Sequence, residues 1–355
     1  MKITIDCRMV DSSGIGTYLR GCIPFLLDSK NDFLLIGNQK RLLQVTKGYS
    51  NVAILNCDAK PFSVTEYLFF PAKIRHEINK TTIYYSPFFN IPSGITIPIF
   101  TTIHDIVFAD MPELVSKTGL AVRMWFFRRA AKHSRKIFTV SEFSKSRIEF
   151  YLGTKTPITV TYSGVQSFLF DADHRKTNKK DFILFIGNIK RHKGLWCLID
   201  AFLKAKEAGL KHKLVIVGSK DNFRSADSQI IKIIDNVDSS IIEFTGFIDN
   251  EKLAQLLSEA SLLVQPSLYE GFGSPPIEAI ISGTKVLLSD IPVFKEIYSE
   301  FPVEYFCAGD SENLKDKLMF LLYNRQVEYL NLSPDLYDKY SFKKTAAIVL
   351  QEILK

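Results

Sequence analysis

Cysteine is scarce in this chain and follows no pairing pattern. The five present among 355 residues (Cys7, Cys22, Cys57, Cys197 and Cys307) are odd in number and far apart, with no Cys-x-x-Cys. That spacing argues against a disulfide framework and a zinc knuckle, and makes a reducing cytosol the expected compartment. No secretory leader is read at the start, because Lys2 to Asp6 forms a strand pattern at once and Asp6, Arg8 and Asp11 interrupt any apolar leader. Long apolar runs are lacking too. The one long uncharged stretch, Thr81 to Ile103, carries Pro87, Pro92, Pro98, Gly94 and Asn90. It suits two buried strands joined by a loop better than a membrane-spanning helix.

What is present is a composition 46% hydrophobic and 23% charged, that of a soluble globular chain. The length accommodates two domains of ordinary size. The net charge of +7 is unevenly spread: residues 1–170 hold 21 Lys and Arg against 12 Asp and Glu, whereas residues 171–355 hold 24 against 26. Short apolar runs, KITID, DFLLIG, VAILNC, TIYYS, PIFTTIHD and KIFTVS, are separated by helix-length segments in the first half. After the charged, turn-prone HRKTNKKD (174–181) the rhythm restarts with DFILFIGN, a helix over KGLWCLIDAFLKAKEAG, HKLVIVG, a helix over SQIIKIIDNV, IIEFTG, a helix over NEKLAQLLSEA, SLLVQP, the helix IEAIISG and TKVLLSD. This alternation predicts an α/β chain of two Rossmann-like domains, residues 1–172 and 173–340. A terminal helix in 341–355 can pack on either domain, with a crossing back to the first as one reading. Two such domains place a ligand cleft at the carboxyl ends of their sheets.

The stretch QPSLYEGFGSPPIEAIISG (265–283) holds Glu270 and Glu278 on either side of Gly271-Phe272-Gly273 and two prolines. Ser274 before Pro275 and Pro276 suits a helix start, with the hydroxyl as N-cap and no amide hydrogen where the helix has no partner for one. Glu278 then falls in the first turn, where complementing the helix dipole is by itself the commonest use of an acid. Two glycines after an apolar strand let the backbone approach a ligand and aim amides at an anion, phosphate being the usual guest. Both acids cannot hold phosphate, so they suit sugar hydroxyls. A ligand with phosphates and two sets of hydroxyls, a nucleotide-sugar, satisfies all of these at once.

Other stretches carry unequal weight. Gly187-Asn188-Ile189-Lys190-Arg191-His192-Lys193-Gly194 follows a strand and opens a helix. It reads either as a solvated basic loop or, better given its place, as a diphosphate clamp led by Lys193. Gly14-Ile15-Gly16 lacks the third glycine of the dinucleotide fingerprint, Leu19 standing there, and no acid closes the second strand, which disfavours a nicotinamide enzyme. His104-Asp105 ends a strand at the cleft side and is read with equal weight as structural or as orienting a hydroxyl. The stretch RMWFFRRAAKHSRK (123–136) mixes Arg and Lys with Trp125, Phe126 and Phe127. Peripheral contact with an anionic membrane or lipid-linked acceptor, and an ordinary helix with buried aromatics, stand as equal readings. No nucleic-acid-binding module accompanies it, so no nucleic-acid partner is expected.

Taken in order, MKITIDCRMVDSSGIGTY, YYSPFFNIP, TIHD, FTVSEFSKSRI, FIGNIKRHKGL and LYEGFGSPPIEA resemble the retaining glycosyltransferases of family four, which have the GT-B architecture of two facing Rossmann-like domains. The resemblance covers nearly the whole chain. It implies that Glu270 contacts donor-sugar hydroxyls and Glu278 the nucleotide ribose. Lys193 would neutralise the diphosphate, helped by the Gly271-Phe272-Gly273-Ser274 turn and the amides of Gly273 and Ser274. It further implies that Gly16 lies against the phosphates and that His104, oriented by Asp105, binds the donor sugar. Where the family usually has an arginine after the glycine of its phosphate strand, this chain has Asn188, with Arg191 or His192 as substitutes. The implied reaction is retaining transfer from a nucleoside diphosphate sugar to an acceptor hydroxyl, with no cofactor and no metal.

The expected protein is therefore a cytoplasmic transferase extending a glycan or lipid-linked acceptor at the inner face of the cell membrane, in cell-surface polysaccharide or lipopolysaccharide synthesis. GDP-mannose is the favoured donor. The alternatives are a nucleotide-sugar epimerase of the same two-domain build and a non-catalytic nucleotide-sugar-binding protein.

Overall fold

The computed structural model describes residues 1–165, 169, 178–218, 237–323 and 334–355. The chain divides into two compact units, Met1–Gly164 with Pro334–Lys355, and Val165–Ser333. The sequence pattern alone set these boundaries at 172 and 340.

In the first unit β1 (Lys2–Asp6), β2 (Asp32–Gly37), β3 (Val52–Asn56), β4 (Ile83–Ser86), β5 (Ile99–Thr102), β6 (Lys136–Thr139) and β7 (Ile158–Val160) form one sheet in the order β3-β2-β1-β4-β5-β6-β7. Every neighbouring pair is parallel. Their β-branched and aromatic residues are buried on both faces in the central strands, as a parallel sheet covered by helices requires. The strand order reverses between β1 and β4, so the chain leaving their carboxyl ends splays apart and opens a place for a ligand. The uncharged run 81–103 supplies β4 and β5, the two buried strands its prolines and glycine predict.

The second unit repeats the plan with β8 (Lys180–Ile186), β9 (Lys213–Val217), β10 (Ile242–Gly246), β11 (Ala260–Gln265), β12 (Lys285–Ser289) and β13 (Glu304–Phe306), ordered β10-β9-β8-β11-β12-β13. Its neighbours are also all parallel. Here the order reverses between β8 and β11. Helices Leu195–Glu207, Asn250–Glu259 and Pro275–Ile281 fall where the periodicity places them. The helix expected over SQIIKIIDNV lies outside the described residues except for its last residue. The short strands β7 and β13 and the helix Ser311–Tyr323 have no counterpart in the sequence reading.

The terminal helix Phe342–Ile353 belongs to the first unit. Its Phe342 fills a notch made by two glycines: a Cβ on Gly21 would meet the Phe342 ring at 2.3 Å, and one on Gly164 would meet the Phe342 amide nitrogen at 2.2 Å. Tyr162 packs edge-on against Tyr340 at 5.4 Å between centroids, and Lys136 pairs with Glu352.

A charged cluster sits beneath the carboxyl edge of the first sheet. The Arg8 guanidinium forks onto Asp6 (Nε to Oδ1 2.9 Å, Nη2 to Oδ2 2.6 Å) and reaches Glu66 Oε1 at 2.7 Å. Tyr84 donates to Asp6 at 2.6 Å, and Asn90 donates to the second oxygen of Glu66. All three charged side chains are within 2% of full burial. Such groups persist out of water only when matched in charge and hydrogen bonding, as they are here.

The glycine notch yields a test. Gly164→Ala places a methyl against backbone that cannot rotate aside, and the expected cost is about 1–3 kcal/mol. In a Trp196→Phe background Trp125 is the sole tryptophan and reports on the first unit. The urea midpoint followed by its fluorescence falls in Gly164→Ala relative to that background, with the slope unchanged.

Candidate functional site

The second unit builds its site at the switch point between β8 and β11. After β8 the chain runs through Gly187 and Asn188 into a single 3-10 turn, Arg191–Lys193, and then into helix Leu195–Glu207 by way of Gly194 in the left-handed region (φ 66°). Gly194 lies so close to the chain leaving β11 that a Cβ would meet the Pro266 carbonyl oxygen at 1.9 Å. The His192 carbonyl accepts from the amides of Leu268 (2.8 Å) and Tyr269 (3.3 Å). These ties bring the two loops into register and set Lys193 Nζ 2.6 Å from Glu270 Oε2.

Glu270 is held from both sides. Its other oxygen accepts from the Ser267 hydroxyl at 2.8 Å, and Gln265 Nε2 donates to the same hydroxyl at 3.3 Å. Gln265 Oε1 is buried with no hydrogen-bond partner among the described residues. Neither Gln265 nor Ser267 is assigned in the sequence reading. The signal available was a glutamine closing an otherwise apolar strand, followed two residues later by serine.

Beyond Glu270 the Gly271-Phe272-Gly273 turn leads into helix Pro275–Ile281. Gly273 is in the left-handed region (φ 79°), a Cβ there would press on Phe294 at 2.7 Å, and Tyr298 donates to its carbonyl. Ser274 occupies the N-cap position but makes no capping hydrogen bond, contrary to expectation. Its hydroxyl is turned to the Glu278 carboxyl instead. Glu278 is buried, 5% exposed, and burial pushes its pKa up to about 7 against the smaller opposing effect of that hydrogen bond. It is thus poised near neutrality in a way that a dipole-complementing surface acid is not.

Lys193, Glu270, Gly271, Phe272, Gly273, Ser274 and Glu278 therefore come together on one strand-turn-helix and the loop beside it. Asn188 and Arg191 stand on that neighbouring loop, Arg191 exposed. His192 does not supply the missing positive charge: burial, reinforced by neighbouring Lys193, lowers its pKa to about 4, so the ring is neutral at pH 7. The expectation of a metal-free reaction took the chain to have no Asp-x-Asp motif, but Asp171-Ala172-Asp173 has that spacing; it lies outside the described residues.

In the first unit His104 follows β5 at the carboxyl edge. Its Nε2 is 2.9 Å from the Pro87 carbonyl, which can only accept, so Nε2 carries the proton. Burial lowers its pKa, leaving a neutral ring with Nδ1 as acceptor. Tyr18 packs edge-on against it at 4.9 Å. Asp105 takes no part in that orientation, because its Oδ1 accepts from the Val107 amide at 3.1 Å and caps the following turn. Gly16, in helix Gly14–Leu27, has a packing reason of its own: a Cβ would lie 2.6 Å from the Val10 carbonyl oxygen.

Residues 167–335 match the family described as Glycosyl transferases group 1. The O-antigen chain mannosyltransferase RfbU of Salmonella typhimurium is 31% identical over 57% of this chain and 56% of its own length. The O-antigen chain mannosyltransferase B of Escherichia coli is 25% identical over 62% and 60%. The matched segments thus span less than two thirds of either relative. Two solved structures show the fold across the whole chain. Anabaena Alr3699/HepE in complex with UDP and glucose has a TM-score of 0.69 at 19% identity, covering 99% of this chain and 95% of that one. A glycosyltransferase from Rickettsia africae ESF-5 has 0.70 at 16%, covering 100% and 98%. The two parallel Rossmann-like units have the GT-B fold, and residues 167–335, which hold the Glu270–Glu278 stretch, match the group 1 glycosyltransferases.

Proposed function

We propose that this protein is a retaining mannosyltransferase that moves mannose from GDP-mannose to a glycan or lipid-linked acceptor in the synthesis of a cell-surface polysaccharide. The observation that carries the reading is the Lys193–Glu270 pair, built on one switch point with the buried carboxyl of Glu278. The mannosyl activity in the names of the O-antigen relatives supports the choice of sugar.

In this reading the donor diphosphate competes with Glu270 for the Lys193 ammonium, and the released carboxylate accepts from sugar hydroxyls. Glu278 accepts from the ribose. The bond from the anomeric carbon to the phosphate oxygen breaks while the acceptor oxygen bonds the same face of that carbon. The acceptor's proton passes to the leaving phosphate oxygen, whose developing charge Lys193 and the Gly273 and Ser274 amides stabilise. His104 contributes its Nδ1 lone pair to a sugar hydroxyl, and the helix start at Gly16 is assigned to phosphate.

Incubation with GDP-mannose and lipid-linked oligosaccharide yields a mannosylated product whose anomeric configuration, read by NMR, matches the donor. Isomerised sugar released from donor alone, or inverted product, overturns the reading. Glu270→Ala lowers kcat by about 100-fold or more while the nucleotide Kd stays within a few-fold, as for loss of an electrostatic contact at the reacting sugar. Glu278→Ala does the reverse.

Glu278 also gives a pH signature. Its folded pKa of about 7 lies above the ordinary carboxyl value of 4.5, so its contribution to stability is present below pH 4.5 and is lost as pH rises through 7. Glu278→Gln escapes that loss, and at pH 8 is more stable than wild type by up to about 3 kcal/mol relative to their difference at pH 4. If the ionised carboxylate receives the ribose hydroxyls, the ratio of wild-type to Glu278→Gln affinity for GDP rises on the order of tenfold between about pH 6 and 8, measured by calorimetry.

A further inference from the structure

Gln265 is an unfavourable residue for its place. It closes β11, a strand otherwise built of Ala, Ser, Leu and Val, and it is 1% exposed. Its Oε1 is buried with no hydrogen-bond partner among the described residues. A buried acceptor left unmet loses its water without replacement, a loss that an apolar side chain of similar size avoids. Departures of this kind gather where a structure serves something besides stability.

The orientation of the amide follows from the groups beyond it. An ionised carboxylate only accepts, so the Ser267 hydroxyl must donate across the 2.8 Å to Glu270 Oε1. With its proton spent there, Ser267 Oγ turns a lone pair to Gln265, whose Nε2 stands 3.3 Å away. Nε2 therefore faces the serine and Oε1 faces away, and the unmet oxygen is a consequence of that donation. Ser267 itself is pinned: it is fully buried, and its carbonyl accepts from the buried Ser289 hydroxyl at the end of β12. A Cβ on Gly187 would lie 4.0 Å from Gln265 Nε2, so the amide is lodged beside the chain leaving β8.

Glu270 thus has partners of opposite kind. Lys193, 2.6 Å from Oε2, is a long side chain about a fifth exposed, whereas Ser267, on Oε1, is short, buried and tied to the sheet. An anion that takes the ammonium leaves the carboxylate on the serine. We infer that Gln265 and Ser267 are positioning residues that hold the Glu270 carboxylate in place when a diphosphate draws Lys193 away, with Gln265 acting only through the Ser267 hydroxyl. Without the serine the carboxylate loses the donor that keeps it at the sheet, so it stays with the ammonium and opposes the incoming phosphates. The use of the held carboxylate for a donor sugar rests on the transfer reading above, but the hold itself concerns only phosphate and the Lys193–Glu270 pair.

The test is calorimetric titration of the full-length protein with inorganic pyrophosphate, which carries neither base nor sugar. Ser267→Ala weakens the pyrophosphate Kd by roughly tenfold, the order of one hydrogen bond to a charged group. Gln265→Leu weakens it by about threefold, as for a neutral hydrogen bond one step further away. Gln265→Leu added to Ser267→Ala does nothing further, and in a Glu270→Ala background neither substitution changes Kd, whereas a serine with a merely structural role would weaken binding in both backgrounds. Gln265→Leu melts no lower than wild type, because it removes the unmet oxygen, and this sets its weaker binding apart from loss of fold. Unchanged Kd in Ser267→Ala, equal weakening in the Glu270→Ala background, or no pyrophosphate binding by wild type overturns the inference. Mannosyl transfer from GDP-mannose separates the two proposals. Its absence with the pyrophosphate couplings intact overturns the sugar reading alone, and transfer with independent, additive substitutions overturns the positioning role alone.

Discussion

Lys193 and Glu270 are 77 residues apart in sequence and joined at 2.6 Å, and what joins them is backbone rather than side chain. The chain leaving β8 and the chain leaving β11 touch where Gly194 meets the Pro266 carbonyl and where one carbonyl, that of His192, accepts two amides. Any side chain at 194 would push the loops apart, and with them the cation from the carboxylate. The resulting pair is partly dry, Lys193 about a fifth exposed and Glu270 less. A second anion arriving there meets a cation already matched and a carboxylate already hydrogen-bonded. Exchange of one anion for another is cheaper in such a place than desolvating a lone lysine each time.

The first unit uses buried charge differently. Arg8, Asp6 and Glu66 join the end of β1 to the segment after β3, and Phe70 and Phe88 cover the guanidinium at 5.1 and 5.9 Å. The cluster fixes the orientation of a six-residue helix far too short to hold itself. Positions that periodicity would send to the core are turned out by an ion pair.

The alternating apolar runs were enough to place most strands and three helices of the second unit, because parallel strands buried on both faces leave a strong local pattern, whereas the 13-residue helix Ser311–Tyr323 was not read. The short strands β7 and β13 are only three residues each and carry too little of it. At the site, residue types and spacing picked out Lys193, Glu270 and Glu278. Their partners were not legible. That Lys193 meets Glu270, that Ser274 turns to Glu278 rather than capping its helix, and that Asp105 serves the Val107 amide rather than His104 all depend on which loops adjoin. The basic-aromatic stretch read as two equal alternatives resolves residue by residue, with Phe126 and Phe127 in the core and Trp125 outside.

The return of Pro334–Lys355 to the first unit makes the second unit an insertion between two parts of the first. During synthesis the second unit's sequence is complete while the first still lacks the helix that carries Phe342, so the glycine notch at Gly21 and Gly164 stays open until Phe342–Ile353 has emerged. The unit begun first is closed only after the one inserted in it, and its notch is exposed on the nascent chain throughout that interval.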